Sequence, residues 1–144
     1  MAADELFEKG VSFLRDNNSL GALACFEKAC NIRKTPELQS YIGFCIAMER
    51  GQITEALSMC NEAISKEPNN PVLYLNLGRV YLKAKRKDDA IEILRKGLSF
   101  GDNPDIRLIL ESLGLRKKPF FTFLPRGHFL NKYAGLFLIR LKLR

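Results

Sequence analysis

The sequence predicts an all-α fold built from a repeated pair of helices, and three observations lead to this prediction. Small residues recur at a shift of 34 residues. Apolar residues around them follow helical spacing, and helix-breaking residues separate the segments. The aligned small residues are Ala22, Ala56 and Ala90 in one column, and Ala29, Ala63 and Gly97 in another.

The breakers divide the first hundred residues into six helical segments. In chain order the breakers are Asn17–Asn18, Thr35–Pro36, Gly51, and residues 68–71, 85–88 and 101–104. They predict helices at 6–16, 20–33, 37–50, 53–66, 71–84 and 88–100. A seventh helix is predicted after Pro104, over residues 105–114.

The small residues indicate that the helices pair closely, because Ala or Gly at a crossing point lets two backbones approach. A single helical hairpin cannot bury its apolar stripe alone, so about three stacked copies are needed for a stable core. This chain contains three copies. The seventh helix carries Ile106, Ile109, Leu110 and Leu113, which are expected to cover the exposed end of the third copy.

These residues resemble the tetratricopeptide repeat, whose pattern is W-x2-L-G-x2-Y followed by A-x3-F and a late Pro. The third copy matches with Tyr74, Leu77, Gly78, Tyr81, Ala90, Leu94 and Gly97. The first matches with Leu6, Gly10, Phe13, Ala22, Phe26 and Ala29, and has Lys9 at the Leu position. The second matches with Ala56, Cys60, Ala63 and Pro68, but its Gly43 lies one residue early, which shifts the register of residues 41–48.

The resemblance implies an all-α, right-handed superhelical stack of three hairpins, and it covers about 100 of the 144 residues. The expected repeats are residues 3–36, 37–70 and 71–104. A capping helix at 105–115 and a basic, aromatic extension at 116–144 follow. The extension is similar to one found after such repeats in uncharacterised bacterial proteins, through residues 123–126 and 131–136.

The net charge of +7 is concentrated in the extension. Residues 116–144 contain eight Lys and Arg and no acid, whereas residues 1–115 contain 15 basic and 16 acidic residues. No segment has the roughly 20 uncharged apolar residues of a membrane span. The first ten residues do not resemble a secretory signal. We therefore expect a cytoplasmic protein, with association to a membrane surface as an open possibility.

No catalytic or metal-binding constellation is visible in the sequence. The cysteines have neither C-x-x-C spacing nor histidine companions, so we predict no metal site and no disulfide framework. His128 has no visible partner for acid–base catalysis. The sequence therefore predicts a protein that is not an enzyme and needs no cofactor. The cysteines are Cys25, Cys30, Cys45 and Cys60.

The family resemblance implies a concave groove, lined by the first helix of each hairpin, that takes a peptide or another protein. The residues that map to it are Phe7, Val11, Leu14, Tyr41, Ile42, Cys45, Met48, Leu75, Asn76, Arg79 and Lys83. Members that clamp the carboxylate end of chaperone peptides use Lys, Asn, Asn, Lys and Arg in this groove. The matching residues here are Phe7, Val11, Ile42, Val72 and Asn76, which disfavours that clamp.

The groove is mostly apolar, and two interpretations of its middle helix stay open. Either the helix is simply buried on most sides, or its groove side is covered by a bound segment.

The extension is rich in aromatic residues, which is unusual for a disordered tail. It contains five of the ten phenylalanines, and a helix is predicted to begin near Asn131, although residues 139–144 also alternate like a strand. It would dock in its own groove or that of a second copy, lie on an anionic membrane, or bind another protein; nucleic acid is disfavoured. The residues expected to make these contacts are Phe120, Phe121, Phe123, Arg126, Asn131, Tyr133 and Phe137.

Overall fold

Seven α-helices and no strand make up the part of the chain that the structure describes, residues 2–114 of a computed structural model. The prediction of an all-α helical repeat stack is confirmed. The helices are α1 (Ala3–Arg15), α2 (Ser19–Ile32), α3 (Pro36–Arg50), α4 (Ile53–Lys66), α5 (Pro71–Lys83), α6 (Lys87–Phe100) and α7 (Pro104–Ser112).

The 34-residue period of the sequence is also the period of the backbone. The second helices of the hairpins begin at Ser19, Ile53 and Lys87, each 34 residues after the last. The turn between the helices of each hairpin contains one residue with positive φ, and these residues have the same spacing: Asn17 (φ 59°), Gly51 (φ 64°) and Lys85 (φ 63°). Only Gly51 adopts this backbone conformation without a steric penalty.

Short polar side chains and prolines set the starts of α2, α3 and α5. The side chains of Asn18, Thr35 and Asn70 accept hydrogen bonds from the first-turn backbone N–H groups of α2, α3 and α5. Proline follows Thr35 and Asn70 at the first helical position, where its missing N–H costs nothing. Helix α1 begins at Ala3, three residues before the predicted start, and Asp4 and Glu5 favour that first turn electrostatically.

The three hairpins stack through their helices within residues 1–103, which form one of two units of the chain. Helices α1 and α2, α3 and α4, and α5 and α6 pair, and α3 also packs on α2 and α5. The largest fully buried side chains include Phe26, Leu73, Leu77 and Leu94. The alanines and the glycine that align in the sequence are all buried, as close helix approach requires.

Gly43 also lies at a close helix approach, although it comes one residue early in the repeat and its approach is less tight than those of Gly10 and Gly78. A Cβ on Gly10 would be 2.5 Å from the Phe26 ring, and a Cβ on Gly78 would be 2.5 Å from Leu94. A Cβ on Gly43 would be 3.2 Å from both the Ala56 carbonyl oxygen and the Cys60 Sγ. Helix α3 begins at Pro36, one residue before the 34-residue period would place its start, so Gly43 is the eighth residue of its helix, as Gly10 and Gly78 are of theirs.

The second unit, residues 104–144, contributes α7 to the described part of the chain. Ile106 and Leu110 on this helix are buried, whereas Leu108 is exposed. Helix α7 corresponds to the helix predicted after Pro104, and its role as a cap stays a prediction, as do the expected domain boundaries.

Candidate functional site

The first helices of the three hairpins, α1, α3 and α5, contribute to one surface, which we call the first-helix face. Phe7 of α1 contacts Tyr41 of α3 with ring centroids 5.4 Å apart, and α3 packs along α5. The residues predicted to line a groove all lie on these three helices. Residues of these helices contribute to two clefts that differ in chemistry.

The first cleft, the Arg79 cleft, has a volume of about 230 Å³. Three of its residues were predicted from the sequence, namely Leu14, Met48 and Arg79, which come from three different hairpins. Met48 is 40% exposed, so an apolar side chain is available to a partner here. The complete lining is Leu14, Asn17, Ser19, Phe44, Met48 and Arg79.

Sequence reasoning missed Asn17, Ser19 and Phe44 as residues of this cleft. Asn17 and Ser19 belong to the turn after α1 and to the first residue of α2, which a mapping confined to first helices leaves out. Phe44 precedes Met48 by four residues on α3, and this helical spacing is a signal that could have identified it.

Arg79 is held in place by neighbours from two helices. Its Nη1 donates to Asn76 Oδ1 at 3.1 Å, and its guanidinium carbon lies 5.2 Å from the centroid of the Phe44 ring. Asn76 Nδ2 in turn donates to Ser40 Oγ at 2.9 Å, and Asn76 and Ser40 are both fully buried. A polar relay therefore runs from α3 through α5 to the guanidinium.

The second cleft, the acidic cleft, has a volume of about 300 Å³ and lies where the first and second hairpins meet. Phe7 is the one residue of this cleft that the sequence analysis assigned to the groove. Arg33 pairs with Asp4, and Asn70 Nδ2 donates to Glu37 Oε1 at 3.2 Å and to Glu67 Oε1 at 3.1 Å. The lining is Ala3, Asp4, Phe7, Arg33, Thr35, Glu37, Leu38 and Glu67, which carries three carboxylates and one guanidinium.

The other predicted groove residues occupy different environments. Val11 is half-buried and Lys83 is exposed. Tyr41, Ile42, Cys45, Leu75 and Asn76 are buried, and they support the face from beneath. The predicted contact residues of the extension lie outside the described residues: Phe120, Phe121, Phe123, Arg126, Asn131, Tyr133 and Phe137.

Two buried cysteines beneath the face are poor nucleophiles, because burial keeps their thiols protonated. Burial raises the pKa of Cys45 to about 12, and the charge of Glu49 raises it further while that of Arg79 lowers it. Burial also raises the pKa of Cys60 to about 12, and its thiol donates to the Ser40 carbonyl oxygen at 3.7 Å. Both thiols are therefore protonated at neutral pH.

Two further properties concern residues 2–114 alone. Within this range, no three His, Cys, Asp or Glu side chains are grouped so that they could hold a metal ion. Among the same residues, every helix is too short or too polar to cross a bilayer.

Comparison with known proteins supports the tetratricopeptide type of fold. The family model described as tetratricopeptide repeat matches residues 47–113. A solved structure described as the first tetratricopeptide repeat domain of Spaghetti (RPAP3) bound to the HSP90 peptide SRMEEVD superposes with a TM-score of 0.58. It has 18% identity and covers 78% of this chain and 92% of that chain.

A second solved structure, that of MamA, superposes with a TM-score of 0.51 and 23% identity, covering 79% of this chain and 70% of that one. The comparison with curated proteins gave no match. Together with the helix geometry, these similarities define the fold as a stack of tetratricopeptide-type hairpins. The similarity of residues 116–144 to bacterial extensions stays a prediction.

Proposed function

We propose that this chain is a non-enzymatic interaction scaffold that binds a segment of a partner protein on the first-helix face. The observation that carries the proposal is the Arg79 cleft, in which half-exposed Met48 stands beside Phe44 of its own helix and Leu14 of the first hairpin. A rigid stack of helices can bind without rearrangement, which limits the entropic cost of association. The solved structure of the Spaghetti domain contains a bound peptide, which supports this class of function.

A clamp for a terminal carboxylate is not the mode of binding that we propose. Phe7, at one of the positions where such clamps carry a cation or an amide, contacts the rings of Phe26 and Tyr41 instead. Binding would instead rest on a partner side chain inserted into the Arg79 cleft.

The substitution Met48→Gln tests the binding surface. Peptides selected from a random library for binding to the full chain should lose roughly tenfold in affinity, because an inserted side chain would lose about 1.4 kcal/mol of apolar contact. Fluorescence polarisation with the labelled peptides measures this change. Ile32→Gln is the matched control, since Ile32 is also exposed, at 57%, and lies outside both clefts. Equal affinities of the Met48→Gln variant and the unmodified chain would place the binding site elsewhere.

We further propose that residues 116–144 regulate access to this face. The segment has eight basic residues, no acid and five phenylalanines, whereas the acidic cleft carries three carboxylates and one guanidinium. Occupation of the face by this segment would lower the apparent affinity for a partner by the occupied fraction. The alternative is that the same residues attach the protein to an anionic membrane as a peripheral adaptor.

One variant of the full chain separates these two roles: Phe120, Phe121 and Phe123 all replaced by Ala. If the segment occupies the face, the variant binds the selected peptides more tightly than the unmodified chain. If it is a membrane anchor, the unmodified chain sediments with phosphatidylserine vesicles but not with phosphatidylcholine vesicles, salt releases it, and the variant does not sediment. Unchanged behaviour in both assays would exclude both roles for these aromatic residues.

A further inference from the structure

The turn between the helices of the third hairpin carries a positive charge that its two counterparts lack. Residues 83–89 contain four basic and two acidic residues, a net charge of +2. The corresponding windows, 49–55 in the second hairpin and 15–21 in the first, have net charges of −1 and 0. Each turn contains one residue with positive φ at the same place in the repeat. The repeat therefore forms this turn without needing basic residues in it.

Two of the lysines in the turn are poor choices for stability. Lys85 has a φ of 63°, at the position where the other turns have Asn17 and Gly51, and these two residue types tolerate positive φ better than Lys does. Lys87 is the first residue of α6, where the positive end of the helix dipole repels a cation. Stability of the fold does not explain lysine at either position.

Three ammonium groups of this turn are exposed, and we call Lys83, Lys85 and Lys87 the lysine turn. Helix α5 ends at the first of them and α6 begins at the last. Among the residues that the structure describes, none of the three pairs with a carboxylate. The neighbouring Arg86 differs, because its Nε donates to Asp89 Oδ2 at 2.8 Å. The lysine turn thus presents charge that the described part of the chain does not neutralise by an ion pair.

The geometry of the turn suits an extended anionic surface rather than a single phosphate group or a nucleobase. The backbone N–H groups of residues 84–86 donate to carbonyl oxygens of α5 at 2.9–3.0 Å, so they are not available to enclose a phosphate. The ring of Tyr81 is stacked against the Arg86 guanidinium, 4.7 Å from its centroid, and so is not free to stack on a base. Lysine ammonium groups act as flexible point charges and need no fixed partner geometry.

We infer that the lysine turn contacts an anionic phospholipid surface. The inference goes beyond the proposed function, since none of the three lysines lines either cleft. Anionic headgroups attract each lysine that lies near them, which is the charge complementarity that this turn offers. Stable attachment of a peripheral protein takes two membrane contacts. Residues 116–144, with eight basic residues and five phenylalanines, have the composition for the other contact.

Sedimentation of the full chain with vesicles tests the inference. The probe is a vesicle of phosphatidylcholine and phosphatidylserine at low salt, and vesicles of phosphatidylcholine alone are the reference. Replacement of all three residues of the lysine turn by Gln should lower the partition onto the anionic vesicles about tenfold.

The matched control makes the same change in net charge elsewhere on the described chain. It replaces Lys9, Lys28 and Lys34 by Gln, three lysines that are also exposed. This variant should lower the partition by about twofold or less, because its charges do not face the bilayer. Thermal melts of both variants report whether the fold is intact.

The substitution Lys85→Gly separates a membrane role from a structural one. Gly adopts a φ of 63° without a Cβ clash, so this variant should melt at a higher temperature than the unmodified chain. Its partition onto anionic vesicles should nevertheless fall about twofold, since one ammonium group is lost. A stabilised variant that binds the vesicles as well as the unmodified chain would contradict the inference.

The remaining outcomes are also decisive. The inference is overturned if the unmodified chain does not sediment with the anionic vesicles, or if the lysine-turn variant and the control variant lose binding equally. It is also overturned if the lysine-turn variant keeps its vesicle binding but loses binding to a single-stranded oligonucleotide. None of these results bears on the proposed function, which is measured separately by the affinity for the selected peptides.

Discussion

Replacement of Phe26 by Ala is expected to lower the free energy of unfolding by about 3–5 kcal/mol, the usual cost of deleting a buried phenylalanine ring. Phe26 has no exposed surface, and its ring lies 5.8 Å from that of Phe7 and 5.0 Å from that of Tyr41. The side chains around Phe26 are held by three helices, so they cannot easily move into the cavity that the Ala variant would leave. Urea denaturation followed by circular dichroism measures the change.

Phe100→Ala is the matched control for this prediction. Phe100 is 39% exposed and stacks on Tyr74 with ring centroids 5.3 Å apart, so the same truncation removes fewer buried contacts. We expect a loss of about 1 kcal/mol, typical of a partly exposed aromatic pair. If both variants lost the same stability, the aromatic cluster of Phe7, Phe26 and Tyr41 would not be a principal part of the core.

The aligned small residues and the breakers were sufficient to predict the fold because both reflect local rules. Turn residues and prolines between two periodic segments mark the ends of helices, and a close helix crossing needs a small side chain on one of the partners. The period of 34 residues could therefore be read from the sequence and reappears in the starts of α2, α4 and α6. Helix ends were predicted less closely: the start of α1 depends on an Ala2 cap that makes no side-chain hydrogen bond.

The site was predicted only in part, because its geometry depends on side chains that meet across hairpins. Ser40 and Asn76 are 36 residues apart, and no spacing rule indicates that they hydrogen-bond. The stacking of Arg79 on Phe44 is equally invisible in the sequence. A periodic mapping places residues on a helix face, but it does not distinguish buried Cys45 from exposed Met48, three residues further along α3.

Replacement of Gly10 by Ala is expected to destabilise the protein by about 1–3 kcal/mol, the usual cost of overpacking a core. An added Cβ would lie 2.5 Å from Phe26 Cε1 and 2.8 Å from Cδ1 and Cζ of the same ring. The ring cannot move away, since it is fully buried against Phe7 and Tyr41. Helix propensity opposes this cost, because Ala is favoured over Gly in a helix by about 1 kcal/mol.

Gly43→Ala separates these two effects, because it makes the same chemical change inside α3 where the space is less restricted. There the added Cβ would lie 3.2 Å from Cys60 Sγ and from the Ala56 carbonyl oxygen, so shifts of a few tenths of an ångström are sufficient. The gain in propensity then offsets most of the strain, and we expect a net change within about 1 kcal/mol of zero. Thermal and urea unfolding of both variants give the comparison. If Gly10→Ala were as stable as Gly43→Ala, the ring of Phe26 would have room to move, and the close approach of α1 to α2 would not depend on glycine.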